Sequence, residues 1–263
     1  MQGDTAKTGL DMEKERQALV QSEIVDRAVY VTLNRPDRLN SLTTPLLSQL
    51  LDTLKDVNKR PDLSCLVVQG NGRGFCAGMD REFYESTLHE PTSSTMHEMV
   101  DFLRIGGEVF SQILAFEGLT VSCVSGFVIG GGLLLSSACD IRVVEENCKM
   151  SLPERDYGLP VAWGALGRLV DIVGESRVLD WVVTGRNILD AEAYDAGLTT
   201  RLVGVGDSGD VAAEYAAAAA GHHEILRGFT KPRVRAHARQ DDRLSTLEAM
   251  GAFEFVLRHR EMP

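Results

Sequence analysis

The sequence predicts an α/β fold in which parallel-paired strands and helices form a core and a helical extension follows. Short apolar runs alternate with loops and amphipathic helical stretches through about residue 160, the pattern of parallel strands joined by crossover helices. Beyond that point helical stretches follow one another with glycine turns between them. Hydrophobic residues make up 44% of the 263 and charged residues 25%, ample for one sizeable core in an ordinary globular chain.

Residues 1–21 are charged and lack apolar periodicity, so they read as a loose tail. AVYVTLNRP (28–36) alternates β-branched residues and ends at a proline, a strand leaving into a loop. Thr43 or Thr44 before Pro45 starts a helix with Leu46, Leu47, Leu50, Leu51 and Leu54 on one stripe. LSCLVVQG (63–70) reads as a buried strand and NGRGFCAG as a glycine-rich loop. A helix over about 97–116 carries Met99, Phe102, Leu103, Val109, Phe110, Ile113 and Leu114. LTVSCVSGFVIGGG (119–132) is a strand running into glycines, followed by a helix and the strand CDIRVVEE. WGALGRLVDIVGESRVLDWVVTG, LDAEAYDAG, GDVAAEYAAAAAGHHEIL and LSTLEAMGAFEFVLRHR are the later helices. The domain division is therefore a tail over 1–21, a core over 22–205 and a helical part over 206–263.

The formal net charge of −11 argues against broad binding of nucleic acid or an anionic membrane. An anionic ligand would need local help from backbone N–H groups or single Arg and Lys side chains. Cys65, Cys76, Cys123, Cys139 and Cys148 form no CxxC pair and read as buried free thiols of a reducing compartment. The first residues show no apolar signal-peptide region, and no apolar run reaches transmembrane length. A cytoplasmic location is the expectation.

Two loops share a plan in which an apolar strand runs into glycines and a helix begins at once: GRGFCAGMD (72–80) and GFVIGGGLLL (126–135). Glycine lets backbone approach a ligand, and the first N–H groups of a helix have no intrahelical partner and sit at its positive end. One N–H from each loop would make an oxyanion hole for a carbonyl becoming an enolate. For either loop alone, a tight turn or close helix packing is the better explanation of the glycines. A dinucleotide fingerprint does not fit, because GxGxxG followed by an acidic residue is absent.

Taken with LNRPDRLNSL (33–42), MSLPERDYGLP (150–160) and LVDIVGESRVLDWVVTGRNILDAEAYDAGLTTRLV (169–203), the two loops resemble the crotonase superfamily, the enoyl-CoA hydratase/isomerase family. The resemblance covers about residues 22–257 in the expected order. It implies a spiral core of ββα turns, a C-terminal helical trimerisation domain, and homotrimers or dimers of trimers. It also implies an acyl-CoA substrate with no metal or redox cofactor, CoA being part of the thioester itself. Backbone around Arg38, Leu39 and Asn40 would meet the adenine end of CoA, and Ala77, Gly78 and Met79 the pantetheine and thioester. Met79 and Gly131, the middle residue of Gly130–Gly132, would supply the oxyanion N–H groups. Asp80 matches an acidic position of the family and also suits a helix N-cap. Lys231 is a candidate phosphate contact.

Hydratases of this family carry two glutamates, one two residues after the glycine triplet and one after the proline of the PE segment. Here the first position is Leu134 and the second is Glu154. A single glutamate beside an enolate can remove and return a proton without a partner. The resemblance therefore points to an isomerase-like proton shuttle. Hydration, decarboxylation or carbon–carbon bond formation, and a non-catalytic acyl-CoA-binding scaffold are the alternatives. Glu154 could instead pair with Arg155 at the surface; in an apolar pocket its pKa should rise. Trp163 stands where small residues are common, either narrowing the acyl tunnel or packing in the core.

Overall fold

A computed structural model of the chain describes residues 18–89, 93–223 and 226–231. Strands β1 (Val20–Val25), β2 (Ala28–Leu33), β3 (Cys65–Gly70), β4 (Leu119–Val124), β6 (Ile141–Glu145) and β8 (Arg201–Val203) form one sheet in the order β1-β2-β3-β4-β6-β8. Every neighbour pair is parallel except β1 with β2, a hairpin whose turn places Asp26 at φ 53°. Parallel neighbours need crossovers. Helices α1 (Thr44–Asn58), α2 (Arg81–His89), α3 (Ser93–Ala115) and α4 (Gly131–Ala138) lie in those connections. Strands β5 (Phe127–Ile129) and β7 (Lys149–Ser151) pair in parallel as a second, two-stranded sheet. Helices α5 (Ala165–Val173), α6 (Glu175–Thr184) and α7 (Asp190–Asp195) follow, and α8 (Ser208–Gly221) comes after β8.

Strand β3 shows how the sequence builds the layers. Its residues alternate between two apolar clusters, as side chains on a strand must. Leu66 and Val68 join the leucines of α1 and the apolar face of α3, whereas Cys65 and Val67 face Ala212, Ala216 and Ala219 of α8. A strand buried on both sides needs apolar residues throughout, hence the unbroken run CLVV. The alanines let α8 lie close on β3, β4 and β6. The packing therefore joins α8 to the sheet, although it falls after the sequence-based division at residue 206.

The expected helix at Pro45 is α1: the Thr43 side chain accepts from Leu46 N at 3.4 Å and all five stripe leucines are buried. The expected helix at 97–116 is α3, which starts four residues earlier, at Ser93. The single strand expected over 119–132 is two strands in different sheets. Gly126, at φ 58°, turns the chain between them so close to Arg73 that a Cβ would lie 2.0 Å from its carbonyl oxygen. All five cysteines are buried and unpaired, and burial pushes each thiol up to about 12, so they stay protonated and inert. Among the described residues no helix is long and apolar enough to cross a membrane. The expected helix over 244–260 and most of the 1–21 tail lie outside the described residues.

Candidate active site

The two glycine loops meet. Phe75 N donates to Phe127 O at 3.0 Å, Ile129 N donates to Cys76 O at 3.0 Å, and Cys76 bridges Val128. Contact is so close that a Cβ on Gly78, at φ 83°, would sit 2.9 Å from Ile129 O and 3.7 Å from Gly131 N. Leu42 stitches the first loop from its other side, donating to Gly78 O at 2.7 Å and accepting from Asp80 N at 2.9 Å. Within that parallel bridge the intervening Met79 N–H is directed away from Leu42. Gly131 is the first residue of α4, after Gly130 at φ 49° and ψ −122°. Among the described residues neither the Met79 nor the Gly131 N–H has an acceptor. The glycines thus bring two unsatisfied donors, one at the positive end of a helix, to the edge of one cavity.

That cavity opens to solvent, and its empty space, the open mouth included, is about 810 Å³. Ala77, Gly78, Met79, Ile129, Gly130 and Gly131 form one wall; Leu134, Pro153 and Glu154 stand with them. Glu154 opens a short 3₁₀ turn, Glu154–Tyr157, after β7 and Pro153. It is buried, its Oε2 has no hydrogen-bond partner, and a Cβ on Gly130 would lie 3.2 Å from its Oε1. Burial in this apolar setting raises its pKa to about 7, as the sequence led us to expect. Arg155 points elsewhere, donating to Val183 O at 2.7 Å and pairing with Asp156 at 3.3 Å. Glu154 is therefore not half of a surface Glu–Arg pair. Leu134, one turn into α4, is buried beside it, and Glu154 is the only carboxylate among the described lining residues.

Trp163 both lines the cavity and packs in the core, its ring 5.9 Å from that of Phe102. Sequence reading missed Tyr84, Phe102 and Leu103 as lining residues. Phe102 and Leu103 were visible only as part of the apolar stripe of α3, which carries no mark of facing a cavity. Tyr84 reaches from α2, donating its hydroxyl to Tyr157 O at 2.7 Å with the two rings edge-on at 4.9 Å.

Other predicted residues stand outside the cavity lining. Arg38 is exposed and paired with Glu82 at 2.6 Å. Leu39, at φ 58°, accepts from Ala77 N at 3.0 Å, tying the 34–42 loop to the first glycine loop. Asn40 is buried, and its amide donates to Asn71 O at 2.8 Å, Gly74 O at 3.0 Å and Phe75 O at 3.2 Å. This side chain is an internal brace for that loop. Asp80 caps α2, accepting from Glu82 N at 3.0 Å, and takes Arg35 at 2.7 Å and Ser41 Oγ at 2.8 Å on its other oxygen. Burial opposes its charge, but hydrogen bonds from Arg35, Ser41 and Phe83 outweigh it and hold the carboxyl below its usual range. Asp80 is thus a cap and ion-pair partner away from the cavity. Lys231 requires correction: it is buried, 2.7 Å from Asp140, bonded to Gly118 O and over the Phe116 ring, so its charge is already satisfied and turned from solvent.

Comparison with known proteins places these features. A probable enoyl-CoA hydratase of Mycobacterium tuberculosis is 28% identical over 182 residues, 69% of this chain and 67% of that protein. The 2,3-dehydroadipyl-CoA hydratase of Escherichia coli is 31% identical over 191 residues, 72% of this chain and 69% of that protein. A solved enoyl-CoA hydratase of Mycobacterium avium subsp. paratuberculosis shares the fold, with a TM-score of 0.80 at 22% identity over 94% of this chain and 95% of its own. The family model for enoyl-CoA hydratase/isomerase matches residues 23–256, which include both glycine loops and Glu154. The chain belongs to the enoyl-CoA hydratase/isomerase family, within the crotonase superfamily.

Proposed function

We propose that this protein moves the double bond of an enoyl-CoA from C3 to C2 by a proton shuttle on Glu154. The observation that carries the reading is one carboxylate, alone among the described lining residues, in the same cavity as two unsatisfied backbone donors, with Leu134 where a hydratase would hold its other glutamate. The Glu154 carboxylate removes a proton from C2 of a 3-enoyl thioester. The electron pair moves onto the thioester oxygen, which accepts from Met79 N–H and Gly131 N–H. The dienolate then collapses, taking the proton back from Glu154 at C4 and leaving the 2-enoyl thioester. The reaction is redox-neutral and calls for no cofactor beyond the thioester's own CoA.

Incubation with a 3-enoyl-CoA in D₂O, followed by mass spectrometry, tests this. Deuterium at C2 and C4 supports the shuttle; no exchange with any acyl-CoA that binds would favour a non-catalytic scaffold. Hydration is the second reading, favoured by the hydratase names of the relatives at 28% and 31% identity. Crotonyl-CoA separates the two, since water addition at a rate typical of two-glutamate enzymes would overturn the isomerase reading. Leu134→Glu should bring a second carboxylate to the cavity and raise the slow hydration of crotonyl-CoA by roughly tenfold or more. An unchanged hydration rate in that variant, with the fold intact, would count against Leu134 as the deciding position.

The same reading includes a homotrimer. Support comes from the apolar side chains exposed on the later helices: Leu166 and Val170 of α5, Leu179 and Val183 of α6, and Tyr194 of α7. Light scattering should then give three or six times the chain mass of 28.8 kDa. A mass equal to one chain would reject it.

A further inference from the structure

We infer that Trp163 closes the acyl end of the cavity and limits the enzyme to short acyl chains, an inference that rests on the acyl-CoA reading above. The cavity has two unlike ends. Arg81 and Tyr157 are exposed at its mouth, whereas Phe102, Leu103, Ala162 and Trp163 form a buried wall. The CoA portion of a thioester is large, polar and charged and stays at the mouth. The acyl chain is then left to point at the buried wall.

Trp163 is held in that wall against three local preferences. Its backbone is left-handed, at φ 66°, a conformation rare for a bulky side chain and concentrated at functional sites. Its indole Nε1 is buried with no hydrogen-bond partner, a cost that leucine or phenylalanine would avoid. Two helices give up side chains to admit the ring. A Cβ on Gly106, inside α3, would lie 2.1 Å from Cε2 and 2.3 Å from Nε1, and one on Gly131 would lie 2.9 Å from Cη2. Glycine inside a helix is itself unfavourable. Ordinary core filling has cheaper solutions than this. The ring spans from α3 to the oxyanion donor Gly131, so it occupies the space into which a longer acyl chain would extend beyond the reacting carbons.

Calorimetric binding of butyryl-, octanoyl- and dodecanoyl-CoA to the wild type and three variants tests the wall independently of catalysis. Trp163→Gly keeps the left-handed backbone and removes the ring; Trp163→Phe shortens it; Gly106→Ala pushes it toward the cavity. The wild type should prefer butyryl-CoA to dodecanoyl-CoA, and Trp163→Gly should shift the ratio of their affinities toward the long chain by roughly tenfold or more. Should Trp163→Gly fail to fold, the milder pair still decides: Trp163→Phe moves the ratio toward octanoyl-CoA and Gly106→Ala moves it toward butyryl-CoA. Binding with the same chain-length ratio in all folded variants overturns the wall and leaves the acyl-CoA reading standing. Failure of the wild type to bind any acyl-CoA overturns both.

Discussion

Glu154→Gln is expected to abolish isomerisation and C2 exchange, lowering kcat by roughly a thousandfold, the usual contribution of a positioned proton-transfer group. Acyl-CoA affinity should change far less. Glutamine keeps the shape of the side chain, and the unsatisfied Met79 and Gly131 donors are untouched. The loss comes from basicity alone. A carboxylate with a pKa of about 7 is a stronger base than an ordinary glutamate and is still half ionised near neutrality. Because the ionised form is the base, kcat/KM in the wild type should rise with pH through about 7 and level off above it. Exchange that survives in Glu154→Gln would assign the proton to another group.

The same burial that tunes Glu154 makes it a liability for folding. The folded pKa of about 7 lies above the ordinary value of 4.5, so between these two values the native state holds a proton that the unfolded chain has released. Native stability from this group is therefore fully present below about pH 4.5 and is lost as pH rises through about 7. The gap corresponds to about 3 kcal/mol. Glu154→Gln carries no such titration, so in urea unfolding its advantage over wild type should be larger at pH 8 than at pH 5 by about 2–3 kcal/mol, the part of the gap that lies between those two pH values. An equal difference at both pH values would mean that Glu154 is not buried in its ionised state. An inactive variant that is also the more stable one fits a site in which function strains the fold.

How far these features were legible in the sequence depended on whether each leaves a local pattern. Strands β2, β3 and β6 and helices α1 and α3 carry apolar runs or stripes, and each was readable within a few residues; β4 was readable at its start, but its run continues into β5 and hid the break between them. Strand β1 was not, because all but its first residue are exposed and it reads as polar VQSEIV. Strands β5, β7 and β8 have three residues each, too few for a period. In the site, Glu154, Leu134 and the glycine loops lie in motifs whose spacing survives as sequence. Lys231 was read as a phosphate contact, and the side-chain role of Asn40 was not read at all, because a polar residue near a motif looks the same whether it faces substrate or braces a loop. Only the hydrogen bonds of Asn40 to Gly74 and Phe75, and the contact of Lys231 with Asp140, distinguish the two. Trp163 was legible as an oddity. The two glycines that admit its ring, Gly106 and Gly131, are 57 and 32 residues away and share no pattern with it.

Gly132→Ala is the second substitution expected to have a large effect, and it tests the oxyanion hole without touching either donor. Each glycine of the triplet answers to a different constraint. Gly130 has a backbone that an L side chain rarely adopts, Gly131 faces Leu42 and Trp163, and Gly132 rests on the opposite loop. A methyl group at 132 would meet Cys76 Cβ at 2.7 Å, its carbonyl oxygen at 2.8 Å and its Sγ at 3.0 Å. Two of these three atoms are main-chain or directly attached to it, so the side chain cannot rotate away and the loops must separate. Cys76 O also accepts from Ile129 N, so the movement would break the bond that holds Met79 and Gly131 in register. Loss of one aligned donor costs on the order of a hundredfold in kcat. Overpacking at the loop contact should lower stability by about 1–3 kcal/mol. Gly209→Ala, where a methyl group meets nothing within 4 Å, should leave both rate and stability near wild type. Full exchange activity in a folded Gly132→Ala variant would show that the close approach of the two loops is not what aligns the donors.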